Sequence, residues 1–92
     1  MALAEGFEDA AAFTKLTGIP CWAALGGERL PLLRLPDYLD HLILAPDHDR
    51  AGRIAARKAK AAYRRSDLTI KTRYPQPFKD WAAMNERLCE RA

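Results

Sequence analysis

Apolar residues occur along the chain either as short runs or at helical spacing, and the two patterns follow each other in order. A short apolar piece at residues 2–4 precedes Glu5 and predicts a first strand. Residues 20–25 and 41–45 predict two more, and the second of these, HLILA, is an unbroken aliphatic run typical of a buried parallel strand. Between the first and second of these strands, residues at helical spacing predict a helix that ends at Gly18: Phe7, Ala10, Phe13 and Leu16.

The second half of the chain continues the same order. Residues 50–65 are rich in alanine, arginine and lysine, which favour helices over strands. Residues 68–75 alternate apolar and charged positions and predict a fourth strand, and residues 80–91 carry Trp81, Met84 and Leu88 on one helical face. Residues 26–36 look like a linker. The order predicts an α/β fold with about four mostly parallel strands covered by helices.

Length and charge narrow the possible functions. A chain of 92 residues is one domain with a thin core, and Lys and Arg outnumber Asp and Glu by 15 to 12. Residues 50–65 contain no acid, and such a basic segment favours the binding of a polyanion. A basic helix face that is only solvated would have the same sequence pattern. We expect a cytoplasmic protein that does not bind membranes, because no apolar run is long enough to span one. The basic residues of the segment are Arg50, Arg53, Arg57, Lys58, Lys60, Arg64 and Arg65.

Three acids are predicted to follow two of the strands. Glu5 comes after the first strand, and Asp47 and Asp49 come after the third. Ligands of open α/β sheets bind beyond the carboxyl ends of the strands, so these acids meet if the two strands are neighbours. Oxygen ligands without cysteine favour Mg²⁺ or Mn²⁺ over Zn²⁺. As an alternative, Asp49 caps the next helix and Asp47 closes a turn.

The ordered motifs resemble those of the Toprim domain. The segments AEGFEDAAAF (residues 4–13), AALGG (residues 23–27) and LILAPDHDRAGRIAA (residues 42–56) carry the resemblance, which runs over nearly the whole chain. Toprim domains occur in bacterial-type primases, type IA and type II topoisomerases and some nucleases. This chain looks most like the Toprim domains of primases and of phage or plasmid primase-helicase proteins.

The resemblance implies roles for particular residues. Glu5 matches a glutamate proposed as general acid or base, and Asp47 and Asp49 match aspartates that hold the metal together with Glu5. Asp9 is a further candidate, since it completes the Glu-Gly-aromatic-x-Asp motif. His48, between the two aspartates, is given no ligand role.

Basic residues near the start of the second predicted helix are candidates for nucleic-acid binding. A helix N-terminus favours anions, and arginines at and beyond it would offset phosphate charge. We therefore predict contacts to a DNA template or RNA primer, and to nucleotides, from Arg50, Arg53 and Arg57.

The segment KDWAAMNERL departs from the family pattern. Primase-like relatives often have Lys-Asp-Trp-Asn here, and this chain has Ala82 where the asparagine is expected, with Asn85 one turn later. Lys79 and Asp80 are candidates for the site. As alternatives, Asp80 caps the last helix and Trp81 anchors the core.

These inferences predict the Mg²⁺-dependent nucleotidyl or phosphoryl-transfer domain of a primase-like DNA replication protein. We expect a fragment of a longer protein with flanking primase or helicase domains, because the two cysteines cannot form a zinc module and the first strand is short. Two alternatives remain: a small Toprim nuclease, and a non-catalytic module that binds nucleic acid or protein.

Overall fold

The structure is a computed structural model that describes the backbone of residues 1–91 and the side chains of residues 1–89. Four strands alternate with three α-helices and one 3-10 helix. In chain order these are β1 (Ala2–Ala4), α1 (Phe7–Thr17), β2 (Cys21–Ala23), the 3-10 helix (Gly27–Leu32), β3 (His41–Ala45), α2 (Arg50–Tyr63), β4 (Thr69–Thr72) and α3 (Trp81–Arg91).

The strands form one sheet in the order β2-β1-β3-β4, and every neighbouring pair is parallel. The predicted α/β class and parallel sheet are confirmed. From β1 the chain moves outward to β2, and from β3 it moves outward the other way to β4. The strand order therefore reverses between β1 and β3, which is where open α/β sheets bind their ligands.

Helices cover both faces of the sheet, and each face has its own core. On one face, α1 and α3 pack against Ala2, Ala4 and Ala45. On the other, α2 and the 3-10 helix pack against Leu3, Leu42 and Leu44. Because successive side chains of a strand point to opposite faces, β1 and β3 supply both cores.

The segment at residues 26–36 is not the linker that its composition predicted. It contains the 3-10 helix, in which Leu30 is fully buried. The Tyr63 hydroxyl at the end of α2 donates to the Leu30 carbonyl and accepts the Leu33 N–H at 2.9 Å. The glycines and prolines of this segment are typical of a loop. The buried leucine and these hydrogen bonds nevertheless hold it in one conformation.

The predicted element ends needed only small corrections. β2 and β4 are shorter than residues 20–25 and 68–75, and α2 ends at Tyr63 rather than at residue 65. Gly18 ends α1 as predicted: it has φ 77°, and its N–H donates to the Thr14 carbonyl at 2.7 Å. A left-handed residue at this position is most easily a glycine.

Candidate functional site

The register of β1 and β3 brings Glu5 next to the loop that carries Asp47. Ala4 lies opposite Ala45 in the parallel pair, so the chain leaves both strands at the same level of the sheet. The Glu5 and Asp47 carboxyl groups lie close enough together to share a proton in a hydrogen bond. Asp47 Oδ1 is buried and has no donor among the described residues.

The two carboxyl groups have raised pKa values. Burial, the hydrogen bond with Glu5, and the charges of Glu5, Asp9 and Asp49 raise the pKa of Asp47 to about 8. Burial is also the main cause of a raised pKa at Glu5, to which Asp49 and Asp9 add, while the bond to Asp47 lowers it. These groups repel as anions, so the pair retains a proton that a cation could replace.

Asp49 is the N-cap of α2. Its Oδ1 accepts the Gly52 N–H at 2.6 Å, which satisfies one of the free amides at the helix start. Its charge still acts on Glu5 and Asp47, where it raises both pKa values. The capping role considered from the sequence is therefore present, and it keeps the carboxylate beside the other two acids.

Gly52 allows α2 to begin this close to Asp47. A Cβ at this position would lie 2.1 Å from the Asp47 carbonyl oxygen and 2.9 Å from its carbon. Any other residue would push the helix away from the loop. The glycine of the Asp-x-Asp-x-Ala-Gly motif is thus explained by packing against backbone.

Asp9 joins the acid cluster from α1. It lies close to Asp47, and burial followed by the charge of Asp80 raises its pKa, whereas the Ala82 N–H lowers it. That N–H, at the start of α3, donates to Asp9 Oδ1 at 3.0 Å. We call Glu5, Asp9, Asp47 and Asp49 the acid cluster; its link to α3 through Asp9 was not foreseen from the sequence.

The variant segment before α3 lies against the loop between β3 and α2. The Lys79 carbonyl accepts the His48 N–H, while the Lys79 side chain is exposed. Asp80 is a helix cap, since its Oδ1 accepts the Ala83 N–H at 2.7 Å. The His48 ring packs beside Tyr74, with ring centroids 5.8 Å apart, and its Nε2 lies 3.3 Å from Gln76 Nε2.

Trp81 is a core residue. It is 4% exposed, and its ring meets Phe13 edge to face, with centroids 4.8 Å apart. Asn85 accepts a weak hydrogen bond from Cys89 Sγ at 3.7 Å within α3, and the described structure gives it no bond to the acid cluster. It does not take the place of the asparagine that the family pattern has at residue 82.

The candidate nucleic-acid residues Arg50, Arg53 and Arg57 are exposed on α2. A cavity of about 350 Å³ lies on another side of the same helix and reaches Glu5. Its walls include Ile54 and Lys58. The acid cluster therefore has basic residues and open space beside it.

The acid cluster fits a hard divalent cation, although it is not a preformed site. Within the described part of the chain, no three His, Cys, Asp or Glu side chains are arranged to hold an ion. Carboxylate oxygens are nevertheless the ligands that Mg²⁺ and Mn²⁺ prefer, and Asp47 Oδ1 is a buried acceptor without a partner. A cation would offset the repulsion that raises the pKa values.

The family model for the Toprim domain matches residues 1–89. The chain belongs to the Toprim family. Toprim domains generally bind divalent metal ions and act on nucleic acids, which indicates a metal-dependent function in nucleic-acid processing. No curated protein and no solved structure matches the chain. None of the helices in the described part of this Toprim domain is long and apolar enough to cross a membrane.

Proposed function

We propose that this chain is the Mg²⁺- or Mn²⁺-dependent nucleotidyl or phosphoryl-transfer domain of a primase-like DNA replication protein. The observation that supports it most is the contact between the Glu5 and Asp47 carboxyl groups at the reversal of strand order. The Toprim match over residues 1–89 supports an activity that depends on a divalent metal ion and acts on nucleic acid.

Each acid has a different part in this proposal. Asp47 and Asp49, with Glu5, would hold the ion, which when bound supplies polarisation of phosphate oxygens. Glu5 would also move a proton to or from the reacting hydroxyl, because its raised pKa brings it nearer to neutral pH. Asp9 and Asp80 would keep α3 in position through their bonds to Ala82 and Ala83.

The basic residues would hold the substrate. Arg50 begins α2, where phosphate groups are favoured, and Arg53 and Arg57 follow it on the same exposed side of the helix. A template and nucleotides must also be positioned, and positioning contributes about 7–11 kcal/mol in favourable cases. We therefore propose that flanking primase or helicase domains complete the site.

Metal binding tests the proposal directly. Mn²⁺ added to isotopically labelled protein should broaden the resonances near Glu5, Asp47 and Asp49, and Asp47→Asn should abolish the effect. Asp40→Asn is a matched control, because Asp40 is exposed. If Mn²⁺ leaves the resonances near these three acids unchanged, the proposed metal site is wrong.

Activity assays separate the alternatives. The isolated chain should show little primer synthesis, while Glu5→Gln in the full-length protein should abolish synthesis and leave the fold intact. Metal-dependent cleavage without synthesis would favour a Toprim nuclease. The non-catalytic module is favoured by one observation, the lack of a preformed three-ligand arrangement among the described residues, and it predicts no response to Mg²⁺.

A further inference from the structure

Five basic residues, four in α2 and one at its C-cap, are spaced alternately three and four positions apart. Residues at this spacing lie on one side of a helix. The side that packs on the sheet carries small buried residues instead, such as Gly52, Ala55 and Ala59. The basic side chains therefore form an exposed stripe that starts beside the acid cluster and extends for about 20 Å along the helix at 1.5 Å per residue. The stripe consists of Arg50, Arg53, Arg57, Lys60 and Arg64.

A second group of basic residues lies on and directly after β4, the edge strand. Lys71 and Arg73 are exposed, and Lys71 lies opposite Ile43 of β3 in the parallel register. An open cavity of about 680 Å³ is lined by both groups, since it contains Lys60 of the stripe together with Lys71 and Arg73. The α2 stripe thus continues around the edge of the sheet. Ile43 and Ile70 give the cavity an apolar floor.

The positive charge of this edge is not neutralised locally. No acid lines the cavity. The one ion pair among the described side chains joins Arg65 to Asp67, so Lys60, Lys71 and Arg73 are all free of such contacts there. A polyanion complements this charge, whereas a second copy of this basic chain would not.

The basic edge leads back to the acid cluster. Arg73 is followed by Tyr74, whose ring packs beside His48. His48 stands between Asp47 and Asp49 in the sequence. An unpaired base can stack on an aromatic ring of this kind, while a base inside a duplex cannot.

We propose that a single nucleic-acid strand runs along the α2–β4 edge, with Lys60, Lys71 and Arg73 contacting its phosphates, and passes Tyr74 to reach the acid cluster. The inference rests on the proposed function and adds the path that the substrate takes along the protein surface. A different explanation is that Lys71 protects an edge strand from pairing with another copy of the chain.

The test uses three double variants that each remove two positive charges and keep polar side chains: Lys71→Gln/Arg73→Gln, Arg53→Gln/Arg57→Gln, and Arg29→Gln/Arg34→Gln as the control. Arg29 and Arg34 are exposed and lie outside the cavity. Binding of a fluorescent single-stranded oligonucleotide is measured over a range of salt concentrations, and circular dichroism checks the fold.

The Lys71/Arg73 variant should bind more weakly, and the negative slope of log K against log salt should become shallower by about 1.4, since each single-strand phosphate contact contributes about −0.7. The control should match the original chain. If the β4 variant misfolds, Lys60→Gln on α2 should make the slope shallower by about 0.7.

Other outcomes would overturn the inference. One is unchanged binding by the Lys71/Arg73 variant, with or without self-association of that variant. Another is a preference for duplex over single strand in the original chain. Because Mn²⁺ binding at the acid cluster is measured separately, a normal metal response with unchanged oligonucleotide binding would reject this path and leave the proposed function standing.

Discussion

The Glu5 carboxyl group lies beside the Asp47 carboxyl group, close enough to share a proton, at the point where β1 and β3, two adjacent parallel strands, end. Two acids in this contact cannot both be ionised without a penalty, and no basic side chain forms an ion pair with them in the described structure. The folded chain therefore carries an electrostatic cost at this place when no cation is bound.

Removing one of the two acids should stabilise the metal-free chain. In EDTA at pH 8, Asp47→Asn should raise the free energy of unfolding by about 0.5–2 kcal/mol, because the amide can still donate to Glu5 and adds no charge. Urea denaturation followed by circular dichroism measures the change. Asp40→Asn, at an exposed acid, should leave stability unaltered; destabilisation by Asp47→Asn would contradict the interpretation.

The stability of the metal-free chain should depend on pH with a defined sign. The pKa of Asp47 is about 8 in the folded chain and about 3.9 when unfolded, so between these values the folded state binds more protons. Raising the pH from about 4 to 8 therefore removes stability at this group. Denaturation in EDTA across this range should show the original chain losing stability relative to Asp47→Asn, and parallel curves would refute the assignment.

Gly52→Ala should destabilise the chain through a clash with backbone. Its Cβ would lie 2.1 Å from the Asp47 carbonyl oxygen, so α2 and the loop must separate. We expect a loss of about 1–3 kcal/mol or more in urea denaturation, together with weaker Mn²⁺ binding. Gly27→Ala is the matched control, since its Cβ meets Glu5 Oε1 at an ordinary 3.6 Å; equal losses would argue against the clash.

The two tryptophans should differ in their contribution to stability. Trp81 is 4% exposed and packs on Phe13, whereas Trp22 is 47% exposed. Trp81→Ala should cost about 3–5 kcal/mol in chemical denaturation, and Trp22→Ala much less. Trp81→Phe should recover most of the loss, because Trp81 Nε1 has no hydrogen-bond partner among the described residues. A small effect of Trp81→Ala would mean that α3 does not depend on this contact.

Local patterns in the sequence were sufficient for most of the fold. The run HLILA and the alternation around Ile70 predicted strands correctly, since an apolar run and the period of apolar positions can both be read from residues that are adjacent in sequence. The 3-10 helix around Leu30 was missed because two hydrogen bonds that fix this segment come from Tyr63, which is distant in sequence. Spacing along the chain carries no information on such a partner.

The candidate site was predictable only in part for the same reason. Motif order placed Glu5 and Asp47 after strands that turned out to be neighbours. The basic edge was not foreseen, because Lys71 and Arg73 look like the solvent face of an ordinary strand until the register brings them to Lys60. Contacts between separate elements depend on the assembled sheet.

The hydrogen bond from the Ala82 N–H to Asp9 Oδ1 connects the acid cluster to the last helix. Asp9 also lies close to Asp47, so one carboxyl group belongs both to the proposed site and to the first turn of α3. If the proposed ion binds there, its binding and the docking of this helix would be thermodynamically coupled, and each would strengthen or weaken the other by the same factor. The exchange rate of the Ala82 amide proton is accordingly a natural reporter of occupancy at a distance from the ion itself.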